Sequence, residues 1–341
     1  MIESIEFTNF KALRKTTLPL SPFTLLLGPN GSGKTTVLQA LQGVSAVARG
    51  QASLAWPSIV SVTSNDQIAP VEIKVRLRLK NQPVFAVFQW HSQAISGNRQ
   101  VTNESASALT GDDVTQSLNW VGRIQTYALD FAAIASPVQV HAGVTLQPNG
   151  AGLAAVLDDL RNNNPERWDS LLKEMCEWLP EYDYVLFDTP QQGSKCIALR
   201  TKKGRHRIPA RDLSQGTLVA LALLTLAHLP APPSVIGLEE IDRGLHPRLL
   251  RHLQDALYRL SYPESCGEKR PPIQVIATTH SPYLLDLYRD HPEEVVLAQK
   301  EGLEVQFKRL SEIEHFDDVL GDSPLSEVWY SGVLGGVSVK P

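Results

Sequence analysis

The sequence predicts an α/β chain whose core is a sheet of largely parallel strands joined by crossover helices, and three observations carry that prediction. A continuous apolar run, Phe23 to Leu27, leads into the glycine-rich turn Gly28 to Gly33 and then into helical spacing from about Lys34 to Leu41. From Leu213 onward helices and strands alternate: helix Gly216 to Leu229, strand Val235 to Leu238, helix Pro247 to Leu260, strand Ile273 to Ala277 and helix Pro282 to Tyr288. That succession builds parallel strands with crossovers. Val71 to Lys80 alternates strictly, with Val71, Ile73, Val75, Leu77 and Leu79 on one face and Glu72, Lys74, Arg76, Arg78 and Lys80 on the other, which marks a half-buried antiparallel strand.

The remaining segments fit around these. Ile2 to Leu20 reads as two short strands separated by the polar Lys11 to Thr17, and Pro83 to Trp90 pairs with the alternating strand through a turn at Asn81-Gln82. Ser92 to Asn119, rich in Ser, Thr, Asn and Gly, reads as a long loop. Asn149 to Pro180 has helical spacing (Leu153, Val156, Leu157 and Leu160, then Trp168, Leu171, Leu172, Met175 and Leu179), broken at Asn162-Asn163-Asn164-Pro165. It reads as a helical lobe, 149–181, inserted into a core lobe made of 1–148 and 182–341, the whole forming a single domain over 1–341. Strands return at Tyr184 to Phe187 and Cys196 to Arg200. There are no internal repeats and no heptads long enough for a coiled coil.

With 341 residues, 43% of them hydrophobic, the chain has the material for a sizeable core. The formal charge of -4 offers no global attraction for nucleic acid, so any such contact needs a local patch. Cys176, Cys196 and Cys266 are far apart and form no C-x-x-C pair, and they read as buried small hydrophobes in a reducing compartment. No stretch approaches the roughly 18 uninterrupted apolar residues of a membrane span. The longest candidate, Leu218 to Leu229, contains His228 and stops at Pro230. The expectation is a cytoplasmic protein without a membrane partner.

Three strand ends carry chemistry. Gly28-Pro29-Asn30-Gly31-Ser32-Gly33-Lys34-Thr35 fits G-x-x-x-x-G-K-[ST] with an apolar strand before it and a helix after it. Glycines at 31 and 33 let backbone N–H groups converge on phosphate oxygens, and the helix N-terminus adds partial positive charge. Lys34 then reaches the β- and γ-phosphates, and the Thr35 hydroxyl ligates magnesium. Val235 to Leu238 ends in Glu239-Glu240, one carboxylate to hold magnesium (Glu239) and the other to orient the attacking water (Glu240). His280 stands at the end of the strand Ile273 to Thr279; a lone His there would be a structural cap, but since ligands bind at that edge of an α/β sheet, which also presents Gly28 and Glu240, it reads as a catalytic γ-phosphate contact. Leu213-Ser214-Gln215-Gly216-Thr217 opens a long apolar helix with Ser214 as its N-cap.

Taken in order, these pieces resemble the ABC-type ATPase superfamily: GPNGSGKTT (Gly28 to Thr36, with Asn30, Ser32 and Thr36 among the nucleotide-binding positions) as Walker A, LSQGT as the signature, VIGLEE as Walker B, DRGLHP as the D-loop and THS as the switch histidine. The resemblance is strongest to the RecF, SMC and OLD branch, whose members start with I-x-x-x-N-F-[KR], here Ile5 to Lys11, and read E-E-x-x-x-x-L-H-P and T-T-H-S-P; it extends to the closing Leu325 to Gly332. It implies a P-loop NTPase with an ABC-type head, comprising a mixed sheet with crossover helices, an antiparallel β subdomain and the inserted helical lobe. It further implies that Ser214, Gln215 and Gly216 contact the nucleotide held by the opposite subunit, so that ATP sits at the interface of a head-to-tail homodimer. Departures are Gln215 and Thr217 where transporters read L-S-G-G-Q, Glu239 where Walker B usually has Asp, and Ile241 where the branch often has Pro. The Q-loop falls at Gln89 or Gln125, and the sequence does not choose. The expectation is an ATPase head without the SMC coiled coil and without room for the TOPRIM nuclease domain that follows the ATPase in OLD proteins.

Lys195, Arg200, Lys202, Lys203, Arg205, His206, Arg207 and Arg211 crowd a hairpin before the signature, and Lys74, Arg76, Arg78 and Lys80 line a strand face. These are either surfaces for double-stranded DNA or other nucleic acid, or a solvated hairpin tip and an ordinary polar face. The resulting expectation is an ATP-driven switch that serves DNA transactions, repair-like or in antiviral defence, through a separately encoded effector. The alternatives are a transporter's nucleotide-binding subunit and a non-hydrolysing scaffold.

Overall fold

A computed structural model describes residues 1–51, 70–79, 82–90, 97–103, 109–141, 143–314, 316, 320–321 and 323–332. They divide into two compact units, one of Met1–Thr126, Pro233–Ile241 and Lys269–Pro341, the other of Tyr127–Pro232 and Asp242–Glu268.

The first unit is built on two sheets. The antiparallel one has strands β1 (Ile2–Phe10), β2 (Leu13–Pro19), β4 (Val71–Leu79), β5 (Gln82–Trp90) and β6 (Gly97–Asn103) in the order β2-β1-β4-β5-β6. The other orders β15 (Glu304–Arg309), β14 (Val295–Glu301), β3 (Phe23–Leu27), β13 (Gln274–Thr279), β12 (Val235–Leu238) and β7 (Ile124–Tyr127). Here β14, β3, β13 and β12 run parallel and β15 returns antiparallel. Helix α1 (Lys34–Ala48) shares one apolar cluster with both sheets: its Val37, Leu38, Leu41 and Val44 join Ile5, Phe7, Ile73 and Val75 of the antiparallel sheet and Leu26, Val235 and Ile276 of the parallel one. Gln274 stitches the sheets together inside this core. Its side chain accepts from Ile2 N at 2.9 Å and donates to Ile2 O at 2.8 Å and to Ser21 O at 3.0 Å.

Several expectations are corrected here. The polar stretch Lys11 to Thr17 does not separate β1 from β2. The chain reverses within two residues, with Asn9 and Lys11 in the left-handed region, and β2 already begins at Leu13. Helix α1 runs on to Ala48 because Val44, Ala46, Val47 and Ala48 are all buried, so Gln42-Gly43 is no terminus. The expected loop Ser92 to Asn119 contains β6 and helix α2 (Gly111–Gly122). β6 is polar because it is an edge strand, and its partner β5 supplies the order that side chains do not. Arg99 on β6 donates to Val47 O and Ala48 O, closing the C-terminus of α1. Helix α2 is started by Thr110, which caps Asp113 N while the Asp113 carboxylate accepts from Thr110 N, a capping box built with Asp. Asn81, half of the expected hairpin turn, and Lys80 lie outside the described residues.

The second unit contains α3 (Phe131–Ala135), β8 (Val138–Gln139), α4 (Leu153–Asn163), α5 (Pro165–Trp178), β9 (Tyr182–Asp188), β10 (Ser194–Thr201), β11 (Arg207–Pro209), α6 (Gln215–Ala227) and α7 (Leu249–Ser261). The helices read as a lobe over 149–181 are α4 and α5, broken at Asn164-Pro165. They pack with β9, β10 and α6 in one unit rather than standing as a separate piece. Helix α6 is buried on every side from Gly216 to Leu226, hence its unbroken apolar sequence. Glu174 of α5 ties the helices: it accepts from Arg259 of α7 at 2.6 and 2.8 Å and bonds His228, the C-cap of α6, at 2.8 Å. Burial alone would raise the Glu174 pKa, but the His228 and Arg259 contacts together outweigh it and hold the carboxyl below the usual range. Cys176 and Cys196 are half-buried, but Cys266 is exposed on a surface 3-10 turn, contrary to the expectation that all three are buried. Among the described residues no helix is long and apolar enough to cross a membrane.

Candidate functional site

The site grows from the register of the parallel sheet. Leu27, the last residue of β3, lies opposite Thr279 of β13, and Ala277 lies opposite Leu238 of β12, so Gly28, His280 and Glu239 leave the sheet at one edge. Gly28 is fixed by space: a Cβ there would stand 2.4 Å from the Ala298 carbonyl oxygen and 2.5 Å from Ser32 Oγ. Gly31 and Gly33 are fixed by conformation, with φ of 77° and 89°, while a Cβ at Gly31 would meet open space. Gly33 is the N-cap of α1 and offers no side-chain cap, which leaves the N–H groups of the first helical turn to other acceptors.

Lys34 is buried in the cradle, only 6% exposed, and its ammonium donates to Gly28 O at 2.6 Å and Pro29 O at 3.0 Å. Burial pushes its pKa from 10.5 down to about 8, while Glu240 and then Glu239 act on the ammonium in the opposite sense. Thr35 Oγ1 donates to Glu239 Oε1, bringing two oxygen atoms together at the mouth of the cradle. Glu240 is, among the described residues, one of four non-glycine residues at positive φ, 45°; its N–H goes to Thr278 Oγ1 at 2.9 Å, and Ile241 N goes to Thr278 O at 3.1 Å. His280 is exposed at the end of β13, between Thr279, whose hydroxyl accepts from Ser281 N, and Ser281, which caps α8 (Pro282–Asp286). Asp286 in turn accepts from the backbone and hydroxyl of Ser326 on α9 (Leu325–Tyr330), which anchors the closing motif.

The structure therefore gathers the residues of Walker A, Glu239, Glu240 and His280 within the first unit. Ser214, Gln215 and Gly216 belong to the second unit, on the opening turn of α6. Ser214 accepts from Thr217 N at 3.1 Å, and a Cβ at Gly216 would stand 2.4 Å from Gly244 O of the D-loop. Of the two Q-loop candidates, Gln89 lies in the antiparallel sheet bonded to Glu72, whereas Gln125 lies on β7, beside β12 in the sheet that carries the cradle. Sequence reasoning missed Thr278 and Ala298. The first was in plain view within T-T-H-S, but its bond to Glu240 depends on sheet register; the second acts through its backbone and leaves no mark in the sequence.

Of the basic surfaces, the strand face is largely paired: Lys74 with Glu6 at 3.5 Å, and Arg76 and Arg78 with Glu3 at 3.1 and 2.5 Å. On the hairpin, Lys195 pairs with Asp158, Arg200 with Asp183 and Arg207 with Asp188. Lys202, Lys203, Arg205 and His206 are exposed at its turn.

Comparison with known proteins bears on the fold. A family model for an "AAA ATPase domain" matches residues 1–83, and one described as "AAA domain, putative AbiEii toxin, Type IV TA system" matches residues 138–286. An OLD nuclease of Thermus scotoductus is 39% identical over 61 residues, which is 18% of this chain and 10% of that protein. An SMC head bound to the C-terminal winged-helix domain of ScpA aligns with TM-score 0.58 at 14% identity, covering 90% of this chain and 96% of that one. The SMC head domain of Thermotoga maritima aligns with TM-score 0.53 at 13% identity, covering 90% and 98%. The fold is that of an ABC-type P-loop ATPase. The fold is shared with the SMC heads, and the motifs resemble those of the RecF, SMC and OLD branch.

Proposed function

We propose that the chain binds ATP with magnesium, hydrolyses it, and uses the cycle to close and reopen a pair of identical subunits. The observation that carries the reading is the convergence of a buried Lys34, the Thr35–Glu239 contact and the strained Glu240 on one sheet edge.

The residues fit a nucleoside triphosphate. Uncapped N–H groups at the α1 terminus and left-handed Gly31 and Gly33 suit phosphate oxygens. Lys34, already desolvated, gains the countercharge that carbonyl oxygens provide only in part. Thr35 and Glu239 suit magnesium, which accepts few protein ligands and takes the rest from phosphate and water. When bound, the ion neutralises charge developing on the phosphates. Glu240 orients and deprotonates the attacking water, and His280 contacts the terminal phosphate.

Ser214, Gln215 and Gly216 complete the site of a second copy, as the family resemblance implies. The likeness to SMC heads and to an OLD nuclease supports a task in DNA transactions or defence, exercised through a separately encoded effector; the exposed turn Lys202 to His206 is where a nucleic-acid contact would fall. The test is phosphate release by wild type and Glu240→Gln. The variant is expected to retain bound ATP and to turn over roughly a hundredfold more slowly or worse, since an amide cannot act as a base. Equal turnover would overturn the assignment.

A further inference from the structure

Glu240 presents a backbone problem that its own sequence does not solve. At φ 45° it stands where a non-glycine residue is strained, at the point where β12 stops following β13. Along the paired strands the register runs Leu238 opposite Ala277, so Thr278 is the next residue beside the departing chain. Thr278 is 1% exposed and its Cα partner on the other side is Leu26 of β3, so it is held firmly in the middle of the sheet. Its hydroxyl, not its carbonyl, receives the Glu240 N–H, at 2.9 Å; its carbonyl is used one residue later, by Ile241 N at 3.1 Å. The side chain thus inserts an extra acceptor into the ladder. That acceptor gives the Glu240 N–H a partner while the chain spends one residue turning into the left-handed region.

We infer that Thr278 is the positioning residue for Glu240: its hydroxyl holds the left-handed turn that fixes where the catalytic carboxylate stands. The inference rests on the proposed role of Glu240 as the hydrolytic base. Valine has the shape of threonine without the acceptor, and serine keeps the acceptor without the methyl group. Without the hydroxyl, Glu240 relaxes toward an ordinary strand conformation and its carboxylate shifts, whereas the phosphate cradle, built on β3 and α1, keeps its geometry.

The experiment compares steady-state ATP hydrolysis and binding of a fluorescent ATP analogue for wild type, Thr278→Val and Thr278→Ser. Each is also made in the Glu240→Gln background and followed by single turnover. Thr278→Val is expected to lower kcat about tenfold or more, as misplacement of a reacting group by about an ångström does. Its KM and analogue affinity should stay within about twofold of wild type, and Thr278→Ser should recover most of the rate. In the Glu240→Gln background the valine should cost nothing further, because the group it misplaces is already inert. Thr278→Cys, with a poorer acceptor of similar size, serves the same comparison should the valine variant not accumulate as folded protein. Wild-type turnover by Thr278→Val, or an equal loss in both backgrounds, overturns the inference while leaving Glu240 in its role. Wild-type turnover by Glu240→Gln overturns the role and the inference together.

Discussion

Lys34 offers a test that needs no turnover. Its ammonium is buried, and the folded chain lowers its pKa from 10.5 to about 8. At about 1.36 kcal/mol per pH unit, and discounted for solvent reaching the open side of the loop, this is a penalty of order 2 kcal/mol on the charged folded state. Between pH 8 and 10.5 the unfolded chain holds a proton on this lysine that the folded chain has released. Stability therefore rises with pH across that window, and the penalty is fully present below it. Lys34→Met removes the titration and retains the aliphatic stem. Urea unfolding of both proteins at pH 7, 8, 9 and 10, without nucleotide, should show wild type gaining on the variant by roughly 2 kcal/mol as pH rises, other titrations cancelling in the difference. With ATP and magnesium the gain should vanish, since phosphate oxygens favour the charged form. Parallel curves without nucleotide, or wild type losing ground with pH, would refute the picture of a desolvated lysine waiting for a polyanion.

Other consequences are as direct. Gly216→Ala gains up to about 1 kcal/mol of helix propensity but drives a Cβ to 2.4 Å from Gly244 O; overpacking of about 1–3 kcal/mol wins, and the variant should melt lower and lose turnover. A higher melting temperature with full activity would show that the signature and D-loop are not in tight contact. Mixing Lys34→Ala chains with Ser214→Arg chains should rescue some hydrolysis, since a heterodimer keeps one intact composite site while each mutant homodimer keeps none. Full hydrolysis by demonstrably monomeric wild type would refute the shared site.

What could be read in the sequence was what repeats locally. Phe23 to Leu27 and Val235 to Leu238 are placed to the residue because each is short, apolar except for Thr24, and ends in chemistry. Val71 to Leu79 was legible from its alternation. Gly28 to Thr36, Glu239, Glu240 and His280 stand out by motif and context, and the structure sets them at one edge of the sheet. What escaped was order supplied by partners: β6 has no apolar pattern because β5 holds it through the backbone, and β14 is recognisable only once β3 lies beside it. α2 escaped because its capping box uses Asp113 in place of Glu and it buries only Ser117, Val121 and Gly122. Thr278 shows the limit most clearly, since its spacing from Glu240 along the chain carries no hint that one holds the other.

Two glycines of the cradle, Gly28 and Gly31, are required for different reasons. Gly28 is dictated by a carbonyl of β14, a strand far along the chain that holds no phosphate-binding residue; Gly31 has free space around it and is dictated by its dihedral angle alone. A saturation screen would score both as intolerant, but for different reasons. Intolerance at Gly28 would measure how closely both β14 and the Ser32 hydroxyl abut it, and a compensating change would have to be sought in the path of β14 near Ala298 as well as at Ser32. A strand without any chemistry of its own thus acts as the mould against which the phosphate loop is cast.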